Sequence, residues 1–218
     1  MNTHIYRVYG VALAVLMAVL LPVSGFAQEP AIDLDNEFEV SIGITPIDIG
    51  LRSDMDDMVK DHYTGNCAEH SKTNPNGAGL SFNMGYLHNL NKIIAIGGTM
   101  GLYEADYKAK YNMPGYGVVE LMESYIFSAY VMPQTRIAWY RNSWAVFYSK
   151  LAMGVKYQHS EYELMYGPNT PYIKRKDFRF AYQLSAVGVR MGRGKWAAIF
   201  ELGYGMNGIV VAGFSHSW

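Results

Sequence analysis

The chain has little of three things that soluble and helical membrane proteins usually contain. Its single cysteine, Cys67, excludes an internal disulfide. Charged residues make up 17% of the chain, whereas soluble domains average about 25%. After residue 27 no apolar run reaches the roughly 18 residues of a membrane-spanning helix. The formal net charge of −1 lacks the basic excess of nucleic-acid-binding proteins, so no nucleic-acid partner is expected.

The one long apolar run lies at the N-terminus and has the layout of a secretory signal peptide. Arg7 precedes an uncharged, mostly apolar stretch at residues 8–21, and Gly25-Phe26-Ala27 forms a small-x-small cleavage site. An N-terminal anchor helix is the alternative. We therefore expect a signal peptide at 1–27, a polar periplasmic leader at 28–36 and one domain at 37–218.

The expected domain consists of segments in which apolar and polar residues alternate with period two, the pattern of β-strands. In the first segment Phe38, Val40 and Ile42 share one face, while Glu39 and Ser41 share the other. The eight segments cover residues 37–45, 79–86, 93–103, 125–139, 144–157, 178–191, 196–204 and 209–218. Their length of about ten residues is what a tilted strand needs to cross a bilayer.

The second face of these segments is small and polar, which is the reverse of a soluble barrel with an apolar interior. This inversion predicts an all-β, eight-stranded, antiparallel up-and-down transmembrane barrel whose outer wall faces lipid. Three irregularities are expected. Pro133 predicts a bulge or a weak ladder position, the phase slips near Ala186, and Trp144 requires a bulge near its turn or a place outside the ladder.

The connections alternate in length in the way that outer-membrane barrels do. The connections at 87–92, 140–143 and 192–195 are short, and those at 46–78, 104–124 and 158–177 are long. The fourth connection on the long side, 205–208, is short. This asymmetry predicts a protein of the bacterial outer membrane with both mature termini in the periplasm.

All four tryptophans fall at the side of the short connections, where a membrane–water interface selects indole rings. We predict a periplasmic aromatic belt of Trp139, Trp144, Trp196 and Trp218. A second girdle on the outer side is expected to consist of Tyr103, Tyr107, Tyr125, Tyr157 and Tyr204.

Charged residues at inward positions predict a polar plug, because eight strands leave a lumen that side chains can fill. The predicted plug consists of Glu39, Arg136, Lys150, Arg179 and Glu201, and Lys156 also faces inward. Since buried charges must pair, Glu201 is expected to meet Lys150 or Arg179. A conducting lumen is the alternative.

The predicted loops carry other candidate groups. The first long loop carries several acidic and histidine side chains, which suggest a divalent-metal site but fit a solvated loop or a short helix capped by Ser53 better. They are Asp54, Asp56, Asp57, Asp61, His62, Glu69 and His70. His159 and Ser160 suggest a catalytic pair, although neighbours on a strand face opposite ways. Lys174, Arg175 and Lys176 are expected to attract lipopolysaccharide phosphates. Tyrosine-rich loops, or protruding strand ends, are candidates for binding an unknown surface partner.

Together these features resemble the small outer-membrane β-barrel domains of the OmpX/OmpA transmembrane type. The resemblance covers the mature chain and rests on the signal, residues 132–139 (MPQTRIAW), the strand at 148–157, residues 200–205 (FELGYG) and the C-terminal Trp218. It implies a structural or surface-interaction protein in contact with outer-membrane lipid and lipopolysaccharide. It also implies that the barrel-assembly machinery reads the last segment, where His216 departs from the apolar pattern.

We therefore expect no enzymatic activity, no catalytic or metal site and no cofactor. Two alternatives remain. One is a lipid A-modifying outer-membrane enzyme, which needs a loop His and Ser that converge on the lipid-facing wall. The other is a soluble lipocalin-like binding barrel, which needs a wide apolar interior.

Overall fold

Nine β-strands make up the fold in the computed structural model, which describes residues 35–45, 74–76, 79–113, 117–164 and 172–218. The strands are β1 (Asn36–Thr45), β2 (Asn74–Asn76), β3 (Gly79–Asn89), β4 (Ile94–Met113), β5 (Gly117–Arg141), β6 (Ala145–Leu164), β7 (Tyr172–Met191), β8 (Trp196–Gly205) and β9 (Val210–Ser217). The predicted signal peptide, the acidic first loop and Cys67 lie outside the described residues. No helix among the described residues is long and apolar enough to cross a bilayer.

Eight of the strands close into one antiparallel ring. The ring runs β1–β3–β4–β5–β6–β7–β8–β9, and β9 pairs again with β1. Apart from the short β2, strands that are consecutive along the chain are therefore neighbours in the ring, as in an up-and-down barrel. The short β2 stands outside the ring, where Asn74–Asn76 pairs with residues 108–110 of β4. The predicted eight-stranded up-and-down barrel is confirmed.

The alternation along each strand places polar groups inside the ring and apolar groups outside. On β1, Glu37, Glu39 and Ser41 are buried, whereas Phe38 and Ile44 are exposed. The same contrast recurs in every strand of the ring, with large exposed aliphatic and aromatic side chains all around its outer wall. A soluble monomer does not present such a continuous apolar surface to water. The predicted inversion of polarity is thus present in the fold.

Two of the expected irregularities are register shifts in the ladders. The β7–β8 register shifts between Ser185 and Val187, where the phase was predicted to slip. The β5–β6 register shifts between Ala138 and Tyr140, and Trp144 precedes the first residue of β6. The shift near Ala186 has a consequence for the interior, because it turns Arg190 inward.

Pro133 produces a weak ladder position without a shift of register. The β5–β6 pairing passes from Val131↔Val155 directly to Gln134↔Ala152. Proline has no N–H to donate to a ladder, and the two intervening positions of the ladder are not paired. The wall between β5 and β6 is therefore locally less well bonded than elsewhere.

Two of the predicted long loops are largely strand. Residues 104–113 and 117–124 form the ends of β4 and β5, and residues 158–164 and 172–177 form the ends of β6 and β7. The prediction was wrong because the strand boundaries were set where apolar alternation ends. Beyond the lipid both faces of a strand can be polar, so the strands continue where that alternation has stopped.

These extensions form a sheet that stands beyond the rest of the ring. We define the protruding sheet as residues 104–113, 117–127, 159–164 and 172–176, which are joined by the ladders β4–β5, β5–β6 and β6–β7. The β7–β8 ladder ends at Gln183↔Gly205. Within the described residues, β7 from Tyr172 to Tyr182 therefore has a ladder neighbour on one side only.

Candidate functional site

The half of the lumen nearer the short connections, here called the lower lumen, holds a compact cluster of charged side chains. Alternation places them inward from five different strands: Glu37 and Glu39 on β1, Arg136 on β5, Lys150 on β6, Arg190 on β7 and Glu201 on β8. Three carboxylates thus face three cations across a narrow space. We call these six residues the lumen cluster.

Each cation of the lumen cluster contacts carboxylate oxygens directly. The Arg136 guanidinium donates from Nη2 to Glu37 Oε2 at 2.6 Å and from Nη1 to Glu39 Oε1 at 3.4 Å. The Lys150 ammonium donates to Glu39 Oε2 at 3.0 Å and also pairs with Glu201. Buried charges without partners are strongly destabilising. The lumen can therefore hold these charged side chains only because each of them is paired.

Two hydroxyl groups and the third cation, Arg190, complete the contacts of the carboxylates. The Tyr148 hydroxyl donates to Glu201 Oε1 at 2.9 Å, and the Ser185 hydroxyl donates to Glu201 Oε2 at 2.6 Å. Arg190 donates from Nε to Glu37 Oε1 at 2.9 Å and to Ser215 at 3.0 Å. Both oxygens of Glu201 are therefore occupied, which is what a buried carboxylate requires.

Arg179 is not part of the lumen cluster, although it was predicted to be. It is half-buried and donates to Asp177 Oδ2 at 2.9 Å, close to the protruding sheet. Its position on β7 lies beyond the last β7–β8 pair, Gln183↔Gly205, so β8 does not reach it. Lys156 is buried at an inward position of β6, in register with Arg179.

Three members of the interior were missed by the sequence reasoning. Glu37 and Tyr148 have the same parity as Glu39 and Lys150, so strict alternation from the predicted residues would have found them. Arg190 follows the register shift, and a slip of one residue reverses the face of every later side chain, so the predicted slip near Ala186 already implied that Arg190 faces inward.

The half of the lumen nearer the protruding sheet, here called the upper lumen, is lined with tyrosines. Two of them, Tyr103 and Tyr107, were predicted to belong to the outer girdle, and that part of the prediction was wrong. Tyr103 and Tyr107 are buried on the inner face of β4, where the ring passes into the protruding sheet, and their hydroxyls contact each other. They share the inward parity of Thr99, and the prediction failed because their segment was thought to end at Tyr103. Tyr125, Tyr157 and Tyr204 have the outward parity. They belong with an outer aromatic band that includes contacts such as Tyr157–Phe178 at 5.3 Å and Tyr182–Tyr204 at 6.2 Å.

The four tryptophans lie at one end of the barrel, the end of the short connections. Trp139, Trp144, Trp196 and Trp218 are 48–57% exposed. The His216 ring packs between two of them, 4.4 Å from the Trp196 ring and 5.8 Å from the Trp218 ring. His216 interrupts the apolar pattern of the last strand, yet it is an aromatic member of the same belt.

The outward face of the protruding sheet carries a second group of charges, centred on Glu161. This carboxylate accepts hydrogen bonds from the Tyr172 hydroxyl, from Lys174 at 2.9 Å and from His159 at 3.1 Å. These contacts lower the pKa of the Glu161 carboxyl from its ordinary 4.5 to about 2, and the hydrogen bond from Tyr172 has the largest effect.

The predicted basic cluster lies on β7 and is divided between two faces of the strand. Lys174 and Lys176 are exposed on the outward face, above Phe178 and Phe180. Arg175 has the opposite parity and pairs with Asp177 at 2.8 Å. Of the three, only Lys174 and Lys176 therefore lie on the outward face of β7.

His159 and Ser160 form no catalytic pair. Ser160 is buried on the inner face and accepts from Gln158 at 2.9 Å, while His159 is on the outward face with Glu161. Among the described residues, no group of three or more His, Cys, Asp or Glu side chains could hold a metal ion.

No protein-family model and no curated protein sequence matches the chain. The solved structures that resemble it include two of Ail, the attachment invasion locus protein of Yersinia pestis. The crystal structure of Ail has 13% identity and a TM-score of 0.34, and the match covers 84% of this chain and 95% of that chain. The structure of Ail in complex with the heparin analogue sucrose octasulfate has 11% identity and a TM-score of 0.38, with the same coverage.

Removal of Glu201 should destabilise the barrel, because Lys150 would keep only the carboxylate that it shares with Arg136. We expect Glu201→Ala to lower the free energy of unfolding by about 3 kcal/mol, measured as the urea midpoint in detergent micelles. Addition of Lys150→Met should restore part of the loss. Glu163→Ala, at an exposed position of the protruding sheet, is the control. An unchanged midpoint for Glu201→Ala would contradict the pairing.

Glu161 should titrate far below an ordinary glutamate. Its folded pKa of about 2 lies below the ordinary 4.5. Its contribution to the stability of the protruding sheet is therefore complete above pH 4.5 and is lost as the pH falls towards 2. The carboxyl ¹³C shift of Glu161 in micelles measures the midpoint, and Tyr172→Phe should raise it. A midpoint at the ordinary value, unchanged by Tyr172→Phe, would show that these contacts do not form in solution.

Proposed function

We propose that this chain is an integral β-barrel of a bacterial outer membrane that presents the protruding sheet at the cell surface. The observation that carries the proposal is the inverted polarity of the ring. Its outer wall is apolar, and its lumen contains the three ion-paired carboxylates Glu37, Glu39 and Glu201. Lipid is the solvent that such a wall requires, and only a ring without open edges can enter it.

The role that fits this architecture is structural or surface-interacting, as in the OmpX/OmpA transmembrane type. The lumen cluster fills the lower lumen, and tyrosines fill the upper lumen. This disfavours an open pore. It also disfavours a soluble lipocalin-like barrel, because the interior that would hold an apolar ligand carries buried ion pairs instead. Nothing among the described residues supports a lipid A-modifying enzyme.

The tryptophan belt supports an orientation with both termini in the periplasm. Asn36 and Trp218 lie side by side, with backbone hydrogen bonds of 3.2 and 3.0 Å between them. Both residues lie at the end that carries the short connections. The protruding sheet is at the opposite end and would stand outside the cell. We further propose that β9, whose outward face ends in Phe214, His216 and Trp218, is the strand that the barrel-assembly machinery reads.

A contact with lipopolysaccharide is the partner interaction best supported by the outer wall of β7. Phe178 and Phe180 are 80% and 65% exposed, and Lys174 and Lys176 lie beyond them on the same face. Aromatic rings at the level of the hydrocarbon boundary, followed by cations, match the order of acyl chains and phosphates in an outer leaflet. Arg175, which the sequence reasoning included, lies on the other face of the strand.

The proposed orientation is tested by labelling two introduced cysteines in a Cys67→Ser background. An impermeant maleimide should label Glu163→Cys, at an exposed position near the end of β6, on intact cells. It should label Asn142→Cys, in a short connection, only after the outer membrane is permeabilised. Unboiled protein from the membrane fraction should migrate differently from boiled protein on a detergent gel. A soluble protein without such a shift would contradict the lipid-facing wall and favour the lipocalin-like reading.

Loss of the two outward lysines should weaken the proposed lipopolysaccharide contact. Since a cation near an anionic lipid surface contributes about 1 kcal/mol, Lys174→Gln combined with Lys176→Gln should reduce lipopolysaccharide binding at least about tenfold. Binding of purified lipopolysaccharide to the micellar protein at two salt concentrations measures this. The control is Lys195→Gln, which removes an exposed lysine at the opposite end of the barrel. Equal binding by the double variant and the control would exclude this contact.

A further inference from the structure

A groove of about 550 Å³ crosses the outer wall from β3 to β6. Its floor includes Pro133, and its sides include Tyr86 and Ile96 at one end and Leu151 and Met153 at the other. These side chains belong to two adjacent rows of outward residues, so the groove runs across the strands. It lies within the apolar belt that the proposed function assigns to lipid.

Between Tyr86 and Pro133, which both line the groove, the wall has no projecting side chain. Gly98 pairs with both Tyr86 and Pro133 across its two ladders. A Cβ added at Gly98 would meet only Met132 O, at an ordinary 3.7 Å. The space above Gly98 is therefore open, and Pro133 offers only its ring.

The wall beneath the groove is braced from inside by a side chain. The Gln134 amide donates from Nε2 to Gly98 O at 3.2 Å and to Tyr86 O at 3.4 Å. These bonds hold β3, β4 and β5 together next to the position where Pro133 lacks an N–H. The groove is thus a shaped part of the wall, with a side-chain support of its own.

The two ends of the groove lie at different depths. Tyr86 is at the tryptophan belt, because its ring centroid lies 6.4 Å from that of Trp218. Tyr86, Gly98 and Pro133 pair in one row across β3, β4 and β5, and Met153 takes the next position of that row on β6. At about 4.8 Å between strands and a tilt of about 45°, Met153 lies roughly 10 Å further into the bilayer than Tyr86. The groove therefore leads from the interface towards the middle of the membrane.

We propose that the groove binds one acyl chain of a glycerophospholipid of the periplasmic leaflet, an inference that rests on the proposed membrane location. The path from interface to mid-plane is the path of a lipid chain whose headgroup stays at the belt. A second copy of the barrel would fit poorly, because its convex wall cannot enter a groove of this shape.

The test is photolabelling of the full-length barrel in vesicles of phosphatidylethanolamine and phosphatidylglycerol that contain no lipopolysaccharide. A fraction of the phosphatidylethanolamine carries a diazirine in the middle of one acyl chain, and adducts are located by mass spectrometry. We expect adducts to concentrate on Leu151 and Met153 compared with the outward residues of β8 and β9. The Gly98→Leu variant should reduce them roughly fivefold, equivalent to about 1 kcal/mol of binding.

Ala212→Leu is the matched control, because it adds the same side chain to the outer wall of β9, away from the groove. It should leave the labelling of Leu151 and Met153 unchanged. Adducts spread evenly around the ring, or equal labelling of Gly98→Leu and wild type, would overturn the proposal while leaving the membrane barrel intact. Protein–protein crosslinks through β5 and β6 would assign the groove to a second copy and overturn it too. A chain that does not insert into the vesicles would overturn both the groove and the proposed function.

Discussion

Closure of the hydrogen-bonded ring is the constraint on which the other features depend. A backbone N–H or C=O that faces hydrocarbon without a partner costs several kcal/mol, so a wall in lipid needs every strand to be paired on both sides. The pairing of β1 with β9 completes the ring and brings Asn36 next to Trp218. Once the ring is closed, the period of two along each strand decides which side chains meet lipid and which meet the lumen.

A ring of eight strands is narrow, and its width determines what the lumen can contain. Side chains from opposite walls reach one another, so a charge on one strand must be balanced by a charge on another. Glu39 of β1 meets Lys150 of β6, and Lys150 meets Glu201 of β8. These pairs connect strands that share no ladder. They therefore link strands on different sides of the ring, which the backbone hydrogen bonds between neighbouring strands do not do.

Sequence reasoning found the ring because one physical rule, alternation against lipid, governs most of it. That rule places Glu39, Lys150 and Glu201 inside and the four tryptophans at one end. Tyr103 and Tyr107 were assigned to the outer girdle by their place at a segment end, although alternation from Thr99 puts both inward. Alternation does place Arg179 inward, but it does not show that β8 ends before reaching it. The sequence reasoning also missed Arg190, because the reversal of facing that follows the predicted slip near Ala186 was not carried along the rest of β7. Pairings such as Glu201 with Lys150, as opposed to Arg179, depend on the stagger of the ring and cannot be read from spacing alone.

The outer surface of this barrel departs from a uniform apolar wall where a ladder hydrogen bond, a projecting side chain or a neighbouring strand is missing. At Pro133 one ladder loses a donor, and the neighbouring Gly98 leaves the outer surface open, so the wall acquires a groove instead of a smooth face. Beyond Gln183, β7 continues without β8, and its outward face carries Phe178, Phe180 and two lysines past the end of its neighbour. A closed ring gives every strand the same environment. Specific contacts with lipid or with a surface partner therefore have to arise where pairing or side chains are missing, and both proposed binding surfaces lie at such positions.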